Sequence, residues 1–537
     1  HYNIPNRQFW DARSGYENFI KDDNYAYFIA QFFPRMAVYN DVEGWQNQQF
    51  WGNGEFALPF GNYDVKITVP DDHIVESTGV LENRKAVYSS TMMKRFREAK
   101  KSYDKPVFIV TQDEAEANEK STPTGTKTWH FTAKNVRDFA FASSRKFIVD
   151  MMNVDVNGID VMAVSVYPKE GNPLWEQWST KTVASALKSY SKMTFDYPYH
   201  KAVSVHADDV GMEYPMICFN FGRPDENGKY SDRTKFGMIG VIIHEVGHNF
   251  FPMIVNSDER QWGWMDEGLN SFVQIIAEQD FGKAHPDAIP GMDHYPSDDM
   301  DPQNIVPYMS GDQDFIAPIM ANPENVYQLG PNAYSKPATA LNILRETVMG
   351  RELFDHAFKT FSQRWMFKHP TPEDFFRTME DASAFDLDWF WRGWFFTTDV
   401  VDMGVTEVKD IKKFDDDMRY FSRYFTNSLR NLTPDAFKNR KEPKKFYKVT
   451  FEKPGGIPMP LIVEYAYADG TKERKTYPAQ VWRKSDREVS KYIATDKEIV
   501  GVLVDPDNAT ADISKGNNAW PKTLEENDFE KFKKQQN

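Results

Sequence analysis

Apolar and polar positions alternate with a period of two in Tyr63-Asp-Val-Lys-Ile-Thr-Val69. Gly61-Asn62 and Pro70-Asp71 bound the run, so it predicts a strand. Trp129-His-Phe-Thr-Ala133 and Asp138-Phe-Ala-Phe-Ala-Ser143 extend the β reading. After about residue 150 the pattern changes: Asp160–Tyr167 predicts a strand, Leu174–Tyr197 a helix stopped by Tyr197-Pro198, and Ala202–His206 a short strand. Gly211-Met-Glu-Tyr-Pro215 reads as a sheet-edge strand. The continuous apolar stretch from Phe236 to Phe251 predicts a helix crossing a domain core.

Residues 282–333 are rich in Pro, Asp and Asn and predict a solvated loop. Its acids, Asp293, Asp298, Asp299 and Asp301, match no calcium-loop spacing. Ala338–Val348 and Leu353–Phe367 are amphipathic, and Thr371-Pro-Glu-Asp-Phe375 opens another helix with proline at its first position. Asp388–Phe396 is an aromatic-rich helix end. Beyond residue 400, Phe446–Phe451, Leu461–Tyr467, Ala479–Trp482 and Ile499–Val504 are expected as strands, separated by Pro454-Gly-Gly456, Ala468-Asp-Gly470 and Asp505-Pro-Asp507. Short strands at this spacing predict a β-sandwich. The expected organisation is multidomain α+β: a β-rich part over 1–145, an α/β part over 146–400, and the sandwich over 401–537 with a charged tail from Glu525 to Asn537.

Composition narrows the function. The 537 residues carry 64 basic and 79 acidic side chains, a net charge of −15, and the pI is near 5.3. Such a surface excludes nucleic acid and anionic membranes as partners. No apolar run reaches the length of a membrane span. The single cysteine, Cys218, forms no intramolecular disulfide.

Chemistry enters at His244-Glu-Val-Gly-His248. Histidines at i and i+4 share one helix face, so both imidazoles can reach one zinc ion. Glu245 sits beside them as a general base that holds water without being a ligand. Glu267, on a second predicted helix, supplies a third ligand and leaves the fourth position open. This is the arrangement of a catalytic site with one zinc per chain; a structural site would be closed, usually by cysteines.

The chain resembles a gluzincin zinc metallopeptidase of the aminopeptidase N-like family, over about Phe33 to Pro521. Trp264-Met-Asp-Glu-Gly-Leu269 is similar to the family's ligand helix. Gly211-Met212-Glu213 resembles its exopeptidase loop, with Tyr214 where asparagine is usual. Tyr334-Ser-Lys-Pro-Ala338 resembles the segment bearing a catalytic tyrosine, with Pro337 where glycine is usual. The resemblance implies a thermolysin-like catalytic domain that hydrolyses N-terminal residues from peptides. In it Tyr334 donates to the developing oxyanion, and Glu213, flanked by Gly211 and Met212, binds the substrate's α-ammonium. From the residues alone, Glu213 could equally be a strand-edge carboxylate and Tyr334 a packed tyrosine. Gln31 is a candidate second amine anchor.

Three rivals stand beside this reading: an endopeptidase using the same site, an epoxide hydrolase, and a non-catalytic peptide-binding scaffold. The residues ahead of 33 show no counterpart of the family's first strands, and the chain opens at His1 without methionine or signal peptide. The N-terminal domain is therefore expected to be partial, either because the chain is a processed or truncated product or because this branch has a reduced domain, and export is favoured over a cytoplasmic location. Oligomeric state is not legible.

Overall fold

The computed structural model describes residues 4–7, 13–297, 301–411 and 445–522. Asp298, Asp299 and the tail Glu525–Asn537 lie outside them. The fold is mixed α/β with several sheets. It forms two compact units: His1–Met300 with Met320–Ala338 and Arg351–Phe385, and Asp301–Ile319 with Thr339–Gly350 and Asp386–Asn537.

In the first unit a mixed six-stranded sheet carries the site. Its order is Gly211–Tyr214, Ile217–Asn220, Lys201–His206, Ile159–Tyr167, Ile148–Val156 and Val107–Val110. Ile148–Val156 and Ile159–Tyr167 pair antiparallel through Asn157-Gly158, both at positive φ (50° and 88°). An Asn-Gly pair adopts that turn at little cost, which pins the register. The helix Leu174–Met193 then crosses over, so that Ile159–Tyr167 and Lys201–His206 lie parallel. Gly211–Tyr214 returns antiparallel as the edge strand and sets Glu213 opposite Cys218.

The motif helix spans Asp232–Gly247, with the Ser231 side chain accepting from the Thr234 N–H at its start. Met238, Ile239, Ile242, Ile243 and Val246 are fully buried. At roughly 1.5–3 kcal/mol each, their burial anchors the helix without help from a metal.

Several boundaries differ from expectation. The helix after Leu174 ends at Met193 rather than Tyr197, because Thr194 leaves helical geometry and returns its N–H and hydroxyl to the Tyr190 carbonyl. The motif helix begins earlier and stops at Gly247, with His248 as its cap. Strands also lie ahead of residue 33: Gly15–Phe19 and Asn24–Ile29 form a hairpin that joins Phe141–Ser144 and Ile74–Ser77. Their alternation is short and tyrosine-rich, so the buried face shows only once Phe141–Ser144 pairs with it.

The second unit holds a three-stranded sheet (Gly404–Asp410, Lys445–Glu452, Glu488–Thr495) and a four-stranded one (Lys472–Tyr477, Leu461–Tyr467, Ile499–Val504, Ala519–Trp520). Ala479–Trp482, expected as a strand, lies in a 3-10 helix, Ala479–Lys484. Ala479 and Trp482 are its buried residues, and the Trp482 indole donates to the Met459 carbonyl. A three-residue separation on one face is helical spacing, and a four-residue run is too short to reveal it.

Candidate active site

The motif helix brings His244 and His248 to one point, and a second helix brings Glu267. That helix opens with a π-turn, Trp264–Gly268, before continuing as Leu269–Ala284. Tyr334 also sits on a π-turn, Gly330–Ser335. The inserted residue of a π-turn rotates the side chains around it, a device common at functional sites. Gly268 accommodates Pro337, since a Cβ at Gly268 would stand 2.6 Å from the proline Cγ.

Three atoms converge. His244 Nε2 lies 3.1 Å from Glu267 Oε2, His248 Nε2 lies 3.3 Å from the same oxygen, and the two Nε2 atoms are 3.0 Å apart. Tetrahedral zinc with bonds of about 2.0–2.2 Å spaces its ligand atoms by about 3.3–3.5 Å, so this triangle fits the ion to a few tenths of an ångström. The outer nitrogens make the fit chemical as well as spatial. His244 Nδ1 is 2.8 Å from Gln274 Oε1, whose amide nitrogen donates to Glu278. His248 Nδ1 is 2.9 Å from the Phe251 carbonyl, with Asp266 Oδ1 also at 2.9 Å. Carbonyl oxygens only accept, so both Nδ1 atoms carry a proton and both Nε2 atoms face the triangle.

The remaining groups surround it. Glu245 is buried and its Oε2 has no hydrogen-bond partner. A Cβ at position 211 would meet Glu245 Oε1 at 2.7 Å and Val241 Cγ2 at 2.8 Å, so only glycine leaves the carboxylate room. Met212 is buried at the edge strand. Oxygens of Glu213 and Glu245 and a nitrogen of His248 lie within 4.8 Å of one another. The Tyr334 hydroxyl donates to Glu267 Oε1 at 2.6 Å, and its ring stacks 5.9 Å from that of His244. Tyr214 is buried with its hydroxyl unpartnered. Gln31 stands in left-handed backbone (φ 48°) just beyond the strand Asn24–Ile29, and no hydrogen bond joins it to Glu213.

Electrostatics sharpens the roles these groups can play. Burial pushes the Glu245 carboxyl well above the usual range; His248 opposes the shift, and Glu213 and Glu267 add to it. Burial also raises Glu213, with Glu55 and Glu267 contributing against His248. Burial works against ionised Glu267 too, yet His248 and His244 hold its carboxyl below the usual range. Glu267 is thus held toward its ionised form, while burial holds Glu245 and Glu213 toward protonation.

Sequence reasoning missed Gln274, Asp266 and a second acid group. Asp266 adjoins Glu267 in the motif, but nothing in the sequence tells which of the two carboxylates faces the histidines' inner nitrogens. Glu213, Glu259 and Asp266 also approach within 4.8 Å, and Glu259 pairs with the buried Arg137. Asn270 accepts from Tyr190 at 2.7 Å and donates to the His244 carbonyl at 3.0 Å, tying the motif helix to the ligand helix.

Comparison with known proteins places this region. Residues 178–394 match the model of the peptidase family M1 domain. Leucine aminopeptidase 2 of Emericella nidulans is 29% identical over 203 residues, 35% of this chain and 30% of that protein. Glutamyl aminopeptidase of Bos taurus is 25% identical over 215 residues, 38% of this chain and 21% of that protein. The matched region thus spans less than a third of either relative. In fold, the chain is similar to Legionella pneumophila aminopeptidase A solved in complex with aspartic acid, with a TM-score of 0.56 at 13% identity, covering 93% of this chain and 48% of that one. The triangle of His244, His248 and Glu267 lies inside residues 178–394, the part of the chain that matches the peptidase family M1 domain.

Proposed function

We propose that the protein is a zinc-dependent aminopeptidase that hydrolyses N-terminal residues from peptides. The observation that carries this reading is the triangle of His244, His248 and Glu267 with the unpartnered Glu245 oxygen and Glu213 beside it. The names of the relatives, a leucine and a glutamyl aminopeptidase, support it. His244, His248 and Glu267 would hold one zinc. When bound, zinc lowers the pKa of water to about 7 and polarises a substrate carbonyl.

The protein's own residues do the rest. Glu245 takes a proton from the attacking water through its unpartnered Oε2 and delivers it to the leaving amine. Tyr334 turns its hydroxyl from Glu267 toward the carbonyl oxygen as charge develops there; such a donor contributes about 3–4 kcal/mol. Glu213 binds the α-ammonium, with Gly211 and Met212 shaping the strand that presents it, and so fixes cleavage one residue from the end. The layout that accompanies this reading is a β-rich domain over 1–145, a thermolysin-like domain over 146–400 and a β-sandwich over 401–537.

Blocked and free peptides test the exopeptidase assignment. Wild type should cleave aminoacyl fluorogenic substrates in a chelator-sensitive manner and leave N-acetylated ones nearly untouched. Glu213→Ala should raise KM and lower kcat for free-amine substrates, because a misplaced carbonyl no longer meets the nucleophile. Internal cleavage of blocked peptides as fast as trimming of free ones would establish the endopeptidase instead.

A further inference from the structure

Away from the ligand triangle, the first unit contains a cavity of about 430 Å³ between the Val38–Asn40 strand with its following turn, the Leu58 region, and the Asn256–Trp262 loop. Its lining is unusual in charge. Asp41 and Asp258 contribute carboxylates, while no lysine or arginine among the described residues lines it. His369 adds no positive charge at neutral pH, because burial and Arg137 keep its pKa low. Tyr39 and Trp262 supply aromatic surface, and Tyr39 is 68% exposed, with its ring set edge-on against Trp45 at 5.0 Å.

Two polar atoms here lack partners. Ser257 is 2% exposed, lines the cavity, and its hydroxyl has no hydrogen-bond partner. Asp258 uses Oδ1 to accept from the Arg260 N–H at 3.1 Å, leaving Oδ2 buried and unpartnered. A buried hydroxyl and half a carboxylate left unsatisfied are destabilising, and a ligand carrying donors would satisfy both.

We propose that this cavity is a binding site for one organic cation, a guanidinium or alkylammonium group. The group's charge pairs with Asp258 and Asp41, its N–H donors reach Ser257 Oγ and Asp258 Oδ2, and its face or stem lies against Tyr39 and Trp262. Aromatic rings beside carboxylates, with no competing protein cation, form the environment that selects such groups. Asp258 is already in need of one. Burial raises its carboxyl, its backbone hydrogen bonds oppose the shift, and Glu43 adds to it. Arg137, the guanidinium that opposes it, is engaged by Asn256, Phe56 and Glu259. The ligand chemistry has two possible sources, a basic side chain of a peptide or a free polyamine.

Calorimetric titration of the full chain tests the site without reference to catalysis. The probes are N-acetyl-arginine amide, its neutral citrulline analogue, and spermidine. Wild type should bind the arginine compound saturably and the citrulline compound about tenfold more weakly, the loss of one charge-assisted contact. Asp258→Asn, which keeps the acceptor for Arg260, should weaken arginine binding by a similar factor, and Tyr39→Ala by about threefold. If Asp258→Asn does not fold, Asp41→Asn on the exposed turn replaces it and should also weaken binding. Tighter binding of spermidine than of the arginine compound assigns the site to free polyamines, and the reverse order to peptide side chains. Equal affinity for citrulline and arginine, affinity unchanged in the carboxylate variants, or no saturation in wild type overturns the proposal.

Discussion

Two side-chain groups meet at His248, and they differ in what neutralises them. On one side, His244, His248 and Glu267 form a triangle of two imidazoles and a single carboxylate held toward its ionised form. On the other, Glu213, Glu259 and Asp266 bring three carboxyl groups within the same 4.8 Å, with the Arg137 guanidinium on Glu259. Proximity alone does not make a metal site. The first group has imidazole nitrogens whose outer atoms already face Gln274 and the Phe251 carbonyl, which suits zinc. The second has only hard oxygens, and burial raises the carboxyls of Asp266 and Glu213 and pushes Glu259 to about 7. It pairs with an arginine, and its Asp266 lies 2.9 Å from the His248 ring of the first group.

The largest test of that division is Glu245→Gln, at the boundary between the groups. The amide cannot take a proton from water, so turnover should drop by about 10²–10⁴-fold. Zinc content, measured by elemental analysis, should stay at one per chain; near-wild-type turnover would remove Glu245 from its role. Next, Arg137→Met should destabilise the fold by about 3–5 kcal/mol in urea denaturation, because it leaves Glu259 buried without its cation. If stability is unchanged while zinc is lost, the second group belongs to the metal and the comparison fails.

Asp266→Asn is smaller in effect and probes the link. It should weaken zinc affinity by about 10–100-fold in chelator competition without unfolding the chain, since it alters only the outer partner of His248. Unaltered affinity would mean that the Phe251 carbonyl alone orients the ring.

A further test lies outside both groups and sharpens the contrast. Asp150 is buried and accepts from the Tyr167 and Thr180 hydroxyls. Burial lifts its carboxyl to about 7, against those hydrogen bonds. The folded state therefore binds a proton more tightly than the unfolded chain. Its contribution to stability is complete below about pH 4 and is lost as pH rises through 7. Unfolding free energies measured from pH 4 to 8 should fall more steeply for wild type than for Asp150→Asn. Parallel profiles would mean that this carboxyl stays ionised throughout.

Sequence by itself determined the parts of this protein that depend on local spacing. The i, i+4 histidines, the apolar run around them and the Trp-x-x-Glu segment are written within single helices, so the side chains expected to meet are those the structure brings together. The Tyr63 strand and the capped start at Thr371 were legible for the same reason. Where packing sets the outcome, the sequence was silent or misleading. The hairpin ahead of residue 33 owes its buried face to Phe141–Ser144, more than a hundred residues away. The turn at Ala479 is helical because Trp482 must reach the Met459 carbonyl. Which oxygen faces a histidine, which carboxylate meets Arg137, and whether Asp258 finds a cation within the chain are decided by groups distant in sequence that burial brings together. Local periodicity carries no record of those partners; only the tertiary structure supplies them.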